Sequence, residues 1–496
     1  MKQSFKLLSR KKGPLRVMRV LLALFGLVLT MGCLQAQEQA ESSKTRFGTT
    51  AFMAFEDKDG SFPFARPAPA DRAIYLDLAR QAGLTDLREA VMQWGLVEAQ
   101  RGAEYDFTSV DDLVLQAGER GIEVLGIFTG LPVWATLPPG QQGDGHAFNM
   151  SPQDPRTWLP RREFEADFRG FVSAAVHRYG STSTLQGLEK PIRYWEFYNE
   201  VDGGWWQDPE QHAYWLKAFT EEVKKADPQA RVVLAGLASA AIRVANPPHR
   251  HNPAYLEELL DQENLKGPGY PYFDVVNLHN YPMIYGGRPL SGSVLEAFRS
   301  NNPQLEAKGV LTGYQPLLHS LQVMKAYVQR VLDARNLEMP VWLTEIGDDS
   351  RYTGRREQAS RLVKYLLHAS WLGFQRVYQF CLYDLGTEEG QGQWGLVELN
   401  QPGNPPEAKP AFPAVKTFLQ THARARGVER LAPGVYRLVM QEGPDAYYLW
   451  QDSRAPALLP PEIRGTVHTV DLGGQARDRP AQDLNLTSEP LLVIPQ

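Results

Sequence analysis

The feature that most constrains this chain is an alternation: between residues 46 and 423, eight short apolar runs rich in β-formers are each followed by an amphipathic helical stretch. The runs fall at 48–55, 86–92, 123–128, 193–199, 232–236, 274–279, 341–345 and 375–383. Strands that alternate with helices predict a parallel sheet joined by crossover helices. Eight such units close most simply into a (β/α)8 TIM barrel. A doubly wound open sheet is the competing arrangement, but it usually carries a Gly-rich phosphate turn after its first strand, and none follows residue 55. After a helix expected at 411–423 the pattern turns to strands only, at 436–441, 447–451, 466–472 and 490–494, with a Gly443-Pro444-Asp445 turn between the first two. This predicts a catalytic barrel over 44–424 and a small all-β, sandwich-like appendage over 425–496 that packs on it. With 43% hydrophobic and 22% charged residues in 496, the chain has ample material for such a core.

Ahead of the barrel, residues 1–36 hold Lys2, Lys6, Arg10, Lys11, Lys12, Arg16 and Arg19, no acidic residue, and an apolar run from about 20 to 32 that is short for a membrane span. A signal peptide is expected here, making the protein exported: periplasmic, extracellular or lipid-anchored at a bacterial membrane. Cleavage follows Ala36, or precedes Cys33 in Leu29-Thr-Met-Gly-Cys33, which resembles a lipobox with an atypical Thr30. In the second case Cys33 is lipidated and attaches the protein to a membrane; in the first it is discarded. The only other cysteine is Cys381, so processing leaves no internal disulfide. Removing the seven cations takes the formal charge from −5 to −5 − 7 = −12, which argues against nucleic acid or an anionic membrane as a ligand of the protein's body.

In a barrel the strands' C-terminal ends face the ligand, so a polar residue closing an apolar strand carries more meaning than one in a surface loop. Two glutamates do so: Glu200, closing Ile192-Arg-Tyr-Trp-Glu-Phe-Tyr-Asn-Glu200, and Glu345, closing Pro340-Val-Trp-Leu-Thr-Glu345. Alternation puts Glu196, Tyr198 and Glu200 on one face of the fourth strand, and Val341, Leu343 and Glu345 on one face of the seventh. Strands four and seven lie across the barrel mouth, so the two carboxyls can meet over one bond. Cleaving a glycosidic bond with retention needs such a pair, one protonated to assist the leaving oxygen and one about 5–5.5 Å away to attack the anomeric carbon. A lone strand-end glutamate is as readily an ion-pair partner; the two together are the signal. Glu196, two residues deeper than Tyr198, is expected in a structural ion-pair or hydrogen-bond network, because an unpaired charge there is costly.

Over 46–423 the chain resembles the clan A glycoside hydrolases, and among them family 39 and its bacterial exopolysaccharide-degrading relatives. In that clan the acid/base follows an Asn at the end of strand four, as Asn199-Glu200 does, and the nucleophile ends strand seven, as Glu345 does. Leu87-Arg88, Trp94 and Glu98 ahead of Gly102 and Tyr105-Asp-Phe107 look like the clan's second strand and turn. Pro132-Val-Trp-Ala135 resembles the loop after strand three, Asp274 to Pro282 strand six, and Gly395-Leu-Val397 with Lys409-Pro-Ala-Phe412 the closing segment. The resemblance implies a retaining β-glycosidase with no cofactor or metal and a carbohydrate substrate. It also implies that Arg88 and Tyr281 donate to the nucleophile, while Asn199 and His279 bind hydroxyls near the bond being cut. An Asn beside the acid suits the sugar's 2-hydroxyl, an interaction that strengthens in the transition state.

The chain departs from the clan at two strand ends. Where many members have a His after strand three it reads Gly126-Ile-Phe-Thr-Gly-Leu-Pro132, and where many have a Trp after strand eight it reads Gln379-Phe-Cys-Leu-Tyr-Asp384. Tyr383 or Trp394 is a candidate for the missing platform. Trp205 with Trp206, Trp94 and Trp134 are candidate sugar-stacking faces on neighbouring loops, with ordinary packing as the alternative for each. Two other readings compete: a metal hydrolase using His249-Arg-His251, which has ligand-like spacing but sits in a loop, and a surface protein that binds glycan on an inactive barrel. The sugar, the linkage and endo or exo action depend on loops around 137–156 and 285–314.

Overall fold

The computed structural model describes residues 44–56, 65–137, 159–203, 208–238, 240, 252–281, 316–386, 392–400, 403–451 and 459–496. Eight parallel strands form one sheet: β1 (Arg46–Ala51), β2 (Asp86–Gln93), β3 (Glu123–Thr129), β4 (Tyr194–Phe197), β5 (Arg231–Leu234), β6 (Val276–Asn280), β7 (Val341–Ile346) and β8 (Arg376–Gln379). Neighbours pair in sequence order, and β1 also pairs with β8. Between β5 and β6 the bridges Val233 to Val275 and Leu237 to Leu278 close the circle. A helix follows each strand, from Arg72–Ala82 after β1 to Ala411–His422 after β8. The expected (β/α)8 barrel is therefore present.

Local chemistry starts one of these helices where it starts. Pro209–Ala226 has Pro209 in its first turn and Asp208 as its cap, which accepts from the Glu210 and Gln211 amides at 3.0 and 3.3 Å. The outward faces of the strands, such as Trp195 and Phe197 of β4 and Leu343 of β7, join the helices in one large apolar cluster.

Inside the barrel the side chains lie in layers. At the strand starts, Arg46 and Arg376 meet Asp86 and Glu123. Above them Leu125, Val233, Val275, Trp342 and Tyr378 form a separate apolar cluster with Tyr194 against it. At the strand ends the interior turns polar, and this third layer holds the candidate site.

The C-terminal sheet has six antiparallel strands, in the order β13-β12-β14-β11-β10-β9. They are β9 (Ala425–Ala432), β10 (Val435–Met440), β11 (Ala446–Leu449), β12 (Thr466–Val470), β13 (Ala476–Pro480) and β14 (Leu491–Pro495). Four of them correspond to the expected runs; β9 and β13 were missed. β13 reads Ala-Arg-Asp-Arg-Pro and is nearly all exposed, so it carries no apolar alternation to find. The sheet rests on the last two barrel helices: His368 Nδ1 lies 2.6 Å from the Tyr436 hydroxyl, Lys364 donates to the Ser488 carbonyl at 2.7 Å, and Phe418 sits edge-on to Tyr448. No helix among the described residues is long and apolar enough to cross a membrane. Residues 1–43, including Cys33, lie outside the described residues.

Candidate active site

Two backbone irregularities bring the carboxylates together, and neither follows from simple alternation. β4 ends at Phe197, and Tyr198 and Glu200 both take left-handed φ, 72° and 44°. Tyr198 is turned into the outer cluster beside Phe197, so it does not share the inward face of Glu196 as expected. Glu200 is carried to the barrel mouth, its amide bonded to the Gly236 carbonyl at 3.1 Å.

In β7 the expected face of Val341, Leu343 and Glu345 is also corrected. Val341 and Leu343 pack outward, while Trp342 points into the barrel. Pairing with β6 jumps from Leu278–Leu343 to His279–Glu345, and pairing with β8 jumps from Leu343–Val377 to Ile346–Gln379. Both neighbours thus see one extra residue in β7, a bulge of the kind that re-aims side chains next to active sites. It lets Thr344 and Glu345 face the interior in succession.

Arg88, the third residue of β2 and buried, organises what lies between. Its Nε and Nη2 grip both oxygens of Glu196 at 2.8 Å, Nη2 also reaches Asn199 Oδ1 at 2.9 Å, and Nη1 reaches Glu345 Oε1 at 2.5 Å. Burial alone would lower its pKa, but Glu196 and Glu345 more than reverse that. The other Glu345 oxygen accepts from the Tyr281 hydroxyl. Burial and the adjacent Glu345 and Glu200 push that phenol well above its ordinary range, so it stays a donor. Glu196 is fully buried and accepts also from the Gly236 amide at 3.2 Å and Asn277 Nδ2 at 3.1 Å, a structural anchor.

Glu200 contacts His279, whose Nδ1 is 3.0 Å from Oε1. Burial raises the Glu200 carboxyl to about 7; Arg88 opposes that shift and Glu196 adds to it. His279 also touches Thr344 Oγ1 through Nε2 at 3.1 Å, and burial pulls its pKa down to about 4, so it is neutral near neutral pH. Its seat exists because a glycine stands two residues past the end of strand five: a Cβ on Gly236 would lie 1.9 Å from Nε2. Donor atoms of Glu200, His279 and Glu345 all lie within 4.8 Å of one another. That spacing would also suit a cation; in this structure the two Glu345 oxygens accept from Arg88 and Tyr281.

The structure gathers Glu200, Glu345, Arg88, Asn199, His279 and Tyr281 in one place, with one change of role. His279 is fully buried with both nitrogens occupied, so it serves Glu200 rather than a sugar hydroxyl. Arg88 donates to Glu345, the contact the resemblance implies. Asn199 is half-buried, and because its Oδ1 is taken by Arg88, its amide N–H groups are the donors that remain.

Among the aromatics, Trp94 is 1% exposed, donates to Glu98 at 2.7 Å and stacks on Phe171, and Tyr383 is 0% exposed against Tyr75. Both are corrected to core, because a ring sealed by its neighbours offers no face to a sugar. Trp134, half-buried, packs edge-on to Trp94 and Phe164. Trp394 does stand beside the site, 5.0 Å from the Tyr281 ring, with Phe380 5.7 Å from Tyr281 and 5.9 Å from Trp394. Gly347 permits this approach, since a Cβ there would meet the Phe380 carbonyl at 2.3 Å. A buried Lys409, bonded to Asp384, Ser350 and the Gln393 carbonyl at 2.8, 3.0 and 3.1 Å, pins the segment carrying Trp394.

Trp205 and Trp206, the His249-Arg-His251 motif and most of the two long loops lie outside the described residues. Sequence reasoning missed Thr344, Asn277, Gly236 and Phe380. A glycine ending a strand and the inward pairing of 277 with 279 were signals for two of them; Thr344 had none, because a bulge leaves no local pattern.

No family model matches the chain, and no curated protein matches it. Solved structures do share its fold. A family 39 glycoside hydrolase from Bacteroides cellulosilyticus WH2 aligns with a TM-score of 0.62 at 18% identity, covering 92% of this chain and 82% of that one. A family 51 α-L-arabinofuranosidase from Bifidobacterium longum aligns at 0.53 and 13%, covering 90% and 95%. A glucosidase from Croceicoccus marinus aligns at 0.52 and 14%, covering 92% and 96%. The class these define is a fold: this chain is built as solved glycoside hydrolases are.

Proposed function

We propose that the protein is a retaining β-glycosidase of the clan A type, with Glu345 as nucleophile and Glu200 as acid/base. The observation that carries the reading is a pair of unlike carboxyls within 4.8 Å in the barrel mouth. One accepts from Arg88 and Tyr281; the other is raised to about 7 and so kept protonated. An inverting enzyme needs about 6.5–9.5 Å between its carboxyls to seat a water, whereas direct attack needs about 5 Å.

In the first half-reaction a Glu345 oxygen bonds to the anomeric carbon as the glycosidic C–O bond breaks, and the Glu200 proton goes to the departing oxygen. In the second, the Glu200 carboxylate takes a proton from water, the water oxygen bonds to the anomeric carbon, and the bond to Glu345 breaks. The free N–H groups of Asn199 suit the sugar's 2-hydroxyl, where a bond that tightens in the transition state accelerates the reaction. Trp394 and Phe380, in place of the tryptophan many relatives have, offer the apolar wall. The neighbours' printed activities name different sugars, so the fold leaves the glycone open.

Reducing-sugar release from β-linked xylo-, gluco-, manno- and acidic oligosaccharides tests the activity, and the anomer first released, seen by NMR, tests retention. An α-anomer released first would sink the mechanism; glycan binding with no release would favour the inactive-barrel reading. We also propose export through residues 1–36. The mass of the mature protein distinguishes a start after Ala36 from a lipid-bearing Cys33, and an intact N-terminus in secreting cells would refute both.

A further inference from the structure

We propose that Thr344 and Asn277 are positioning residues that dictate which ring nitrogen of His279 carries the hydrogen, so that Glu200 faces a lone pair and is held as the acid. The inference deepens the glycosidase reading and rests on it. It follows from counting donors along one buried chain of hydrogen bonds.

The chain starts at Glu196, whose oxygens accept from Arg88 Nε and Nη2, the Gly236 amide and Asn277 Nδ2. Asn277 must present its NH2 group there, because its oxygen would oppose an acceptor. Its Oδ1 is therefore turned to Thr344 Oγ1, 2.8 Å away, and the Thr344 hydroxyl must donate to it. A hydroxyl has one hydrogen, so toward His279 Nε2, at 3.1 Å, Thr344 can only accept. Nε2 carries the hydrogen. A neutral His279 then has only a lone pair at Nδ1, and that nitrogen lies 3.0 Å from Glu200 Oε1.

Such a contact is a hydrogen bond only when Glu200 supplies the proton. The charged groups around the ring are Glu200 from the end of β4, Glu345 from β7 at 3.4 Å from the same Nδ1, and Arg88 and Glu196 behind them; the Gly236 backbone closes the β5 side. With the hydrogen on Nδ1 instead, the ring would donate to either carboxylate and favour the charged form of Glu200. The chain of bonds excludes that. The same lone pair makes the Glu200 carboxylate a stronger base once its proton has gone, which is what the second half-reaction asks of it.

The test labels histidine ring nitrogens with 15N, assigns His279 by its loss in His279→Gln, and follows the pH dependence of kcat/KM. Wild type is expected to show Nε2–H. Thr344→Val, which removes the acceptor, is expected to shift the population toward Nδ1–H and to move the alkaline limb of the profile down by about one pH unit. Thr344→Ser is expected to restore both. Asn277→Ala, which frees the Thr344 hydroxyl to donate to Nε2, is expected to act in the same direction and serves if Thr344→Val does not fold. Nδ1–H in wild type, an unmoved tautomer in both variants, or a moved tautomer with an unmoved limb would each overturn the proposal. If wild type cleaves no glycoside, the functional reading fails while the nitrogen shifts still decide the tautomer.

Discussion

The two ends of the barrel interior hold ionic clusters that differ in their charge count, and the difference explains why one supports the fold and the other is suited to chemistry. At the strand starts two arginines, Arg46 and Arg376, face two carboxylates, Asp86 and Glu123. Burial alone would raise Glu123, but Arg376 and Arg46 hold it below its ordinary value. At the strand ends one guanidinium, Arg88, faces three carboxyls, Glu196, Glu345 and Glu200, and the neighbouring His279 is neutral. One carboxyl must take up a proton to avoid a surplus buried charge, and Glu200, which has no direct bond to Arg88, is the one raised to about 7. The apolar layer of Leu125, Val233, Val275, Trp342 and Tyr378 keeps the clusters apart, so each balances its charges alone.

Substitutions at the two ends should therefore separate. The largest effect is expected for Glu345→Gln, with kcat/KM falling by on the order of 10⁴-fold or more while the fold stays intact by circular dichroism. Glu200→Gln is expected to lower kcat/KM by on the order of 10²–10⁴-fold on natural glycosides, and far less on glycosides with acidic leaving groups, which need no proton. Equal loss on both substrate types would remove Glu200 from the acid role.

Arg88→Met and Arg376→Met compare the ends directly. Arg88→Met strands the two buried carboxylates it binds, Glu196 and Glu345, and should cost about 3–5 kcal/mol in denaturant unfolding together with most of the activity. Arg376→Met leaves Arg46 to serve both acids and should cost about 1–3 kcal/mol with kcat/KM retained by the fraction that folds. Similar losses of activity in both would contradict the division of labour.

A last effect is on stability against pH. Because Glu200 is raised from 4.5 to about 7 in the fold, its contribution is complete below pH 4.5 and is lost as pH rises through about 7. Glu89, buried and also raised to about 7, acts in the same window and direction. Unfolding midpoints should thus decline across that window, and the decline should be shallower, not absent, in Glu200→Gln.

That Glu200 and Glu345 stand at the barrel's strand ends was readable from the chain because a strand end is a local property: an apolar run, then a carboxyl. The eight repeating units were readable for the same reason, since periodicity is written residue by residue. How Glu345 reaches the interior was not. Counting by twos put Leu343 beside it, whereas the extra residue in β7 is set by pairing with β6 and β8, dozens of positions away. The same holds for Tyr198, turned outward by a left-handed backbone, and for Trp94 and Tyr383, whose neighbours seal them into the core.

By itself, then, the sequence determined the strands, helices and chemical groups, because those depend on propensity and pattern over a few residues. Only the tertiary structure decided which groups lose water, which share one guanidinium and which retains its proton. Those are energies of burial and of charges meeting across the barrel, and they exist only once distant strands have closed around them.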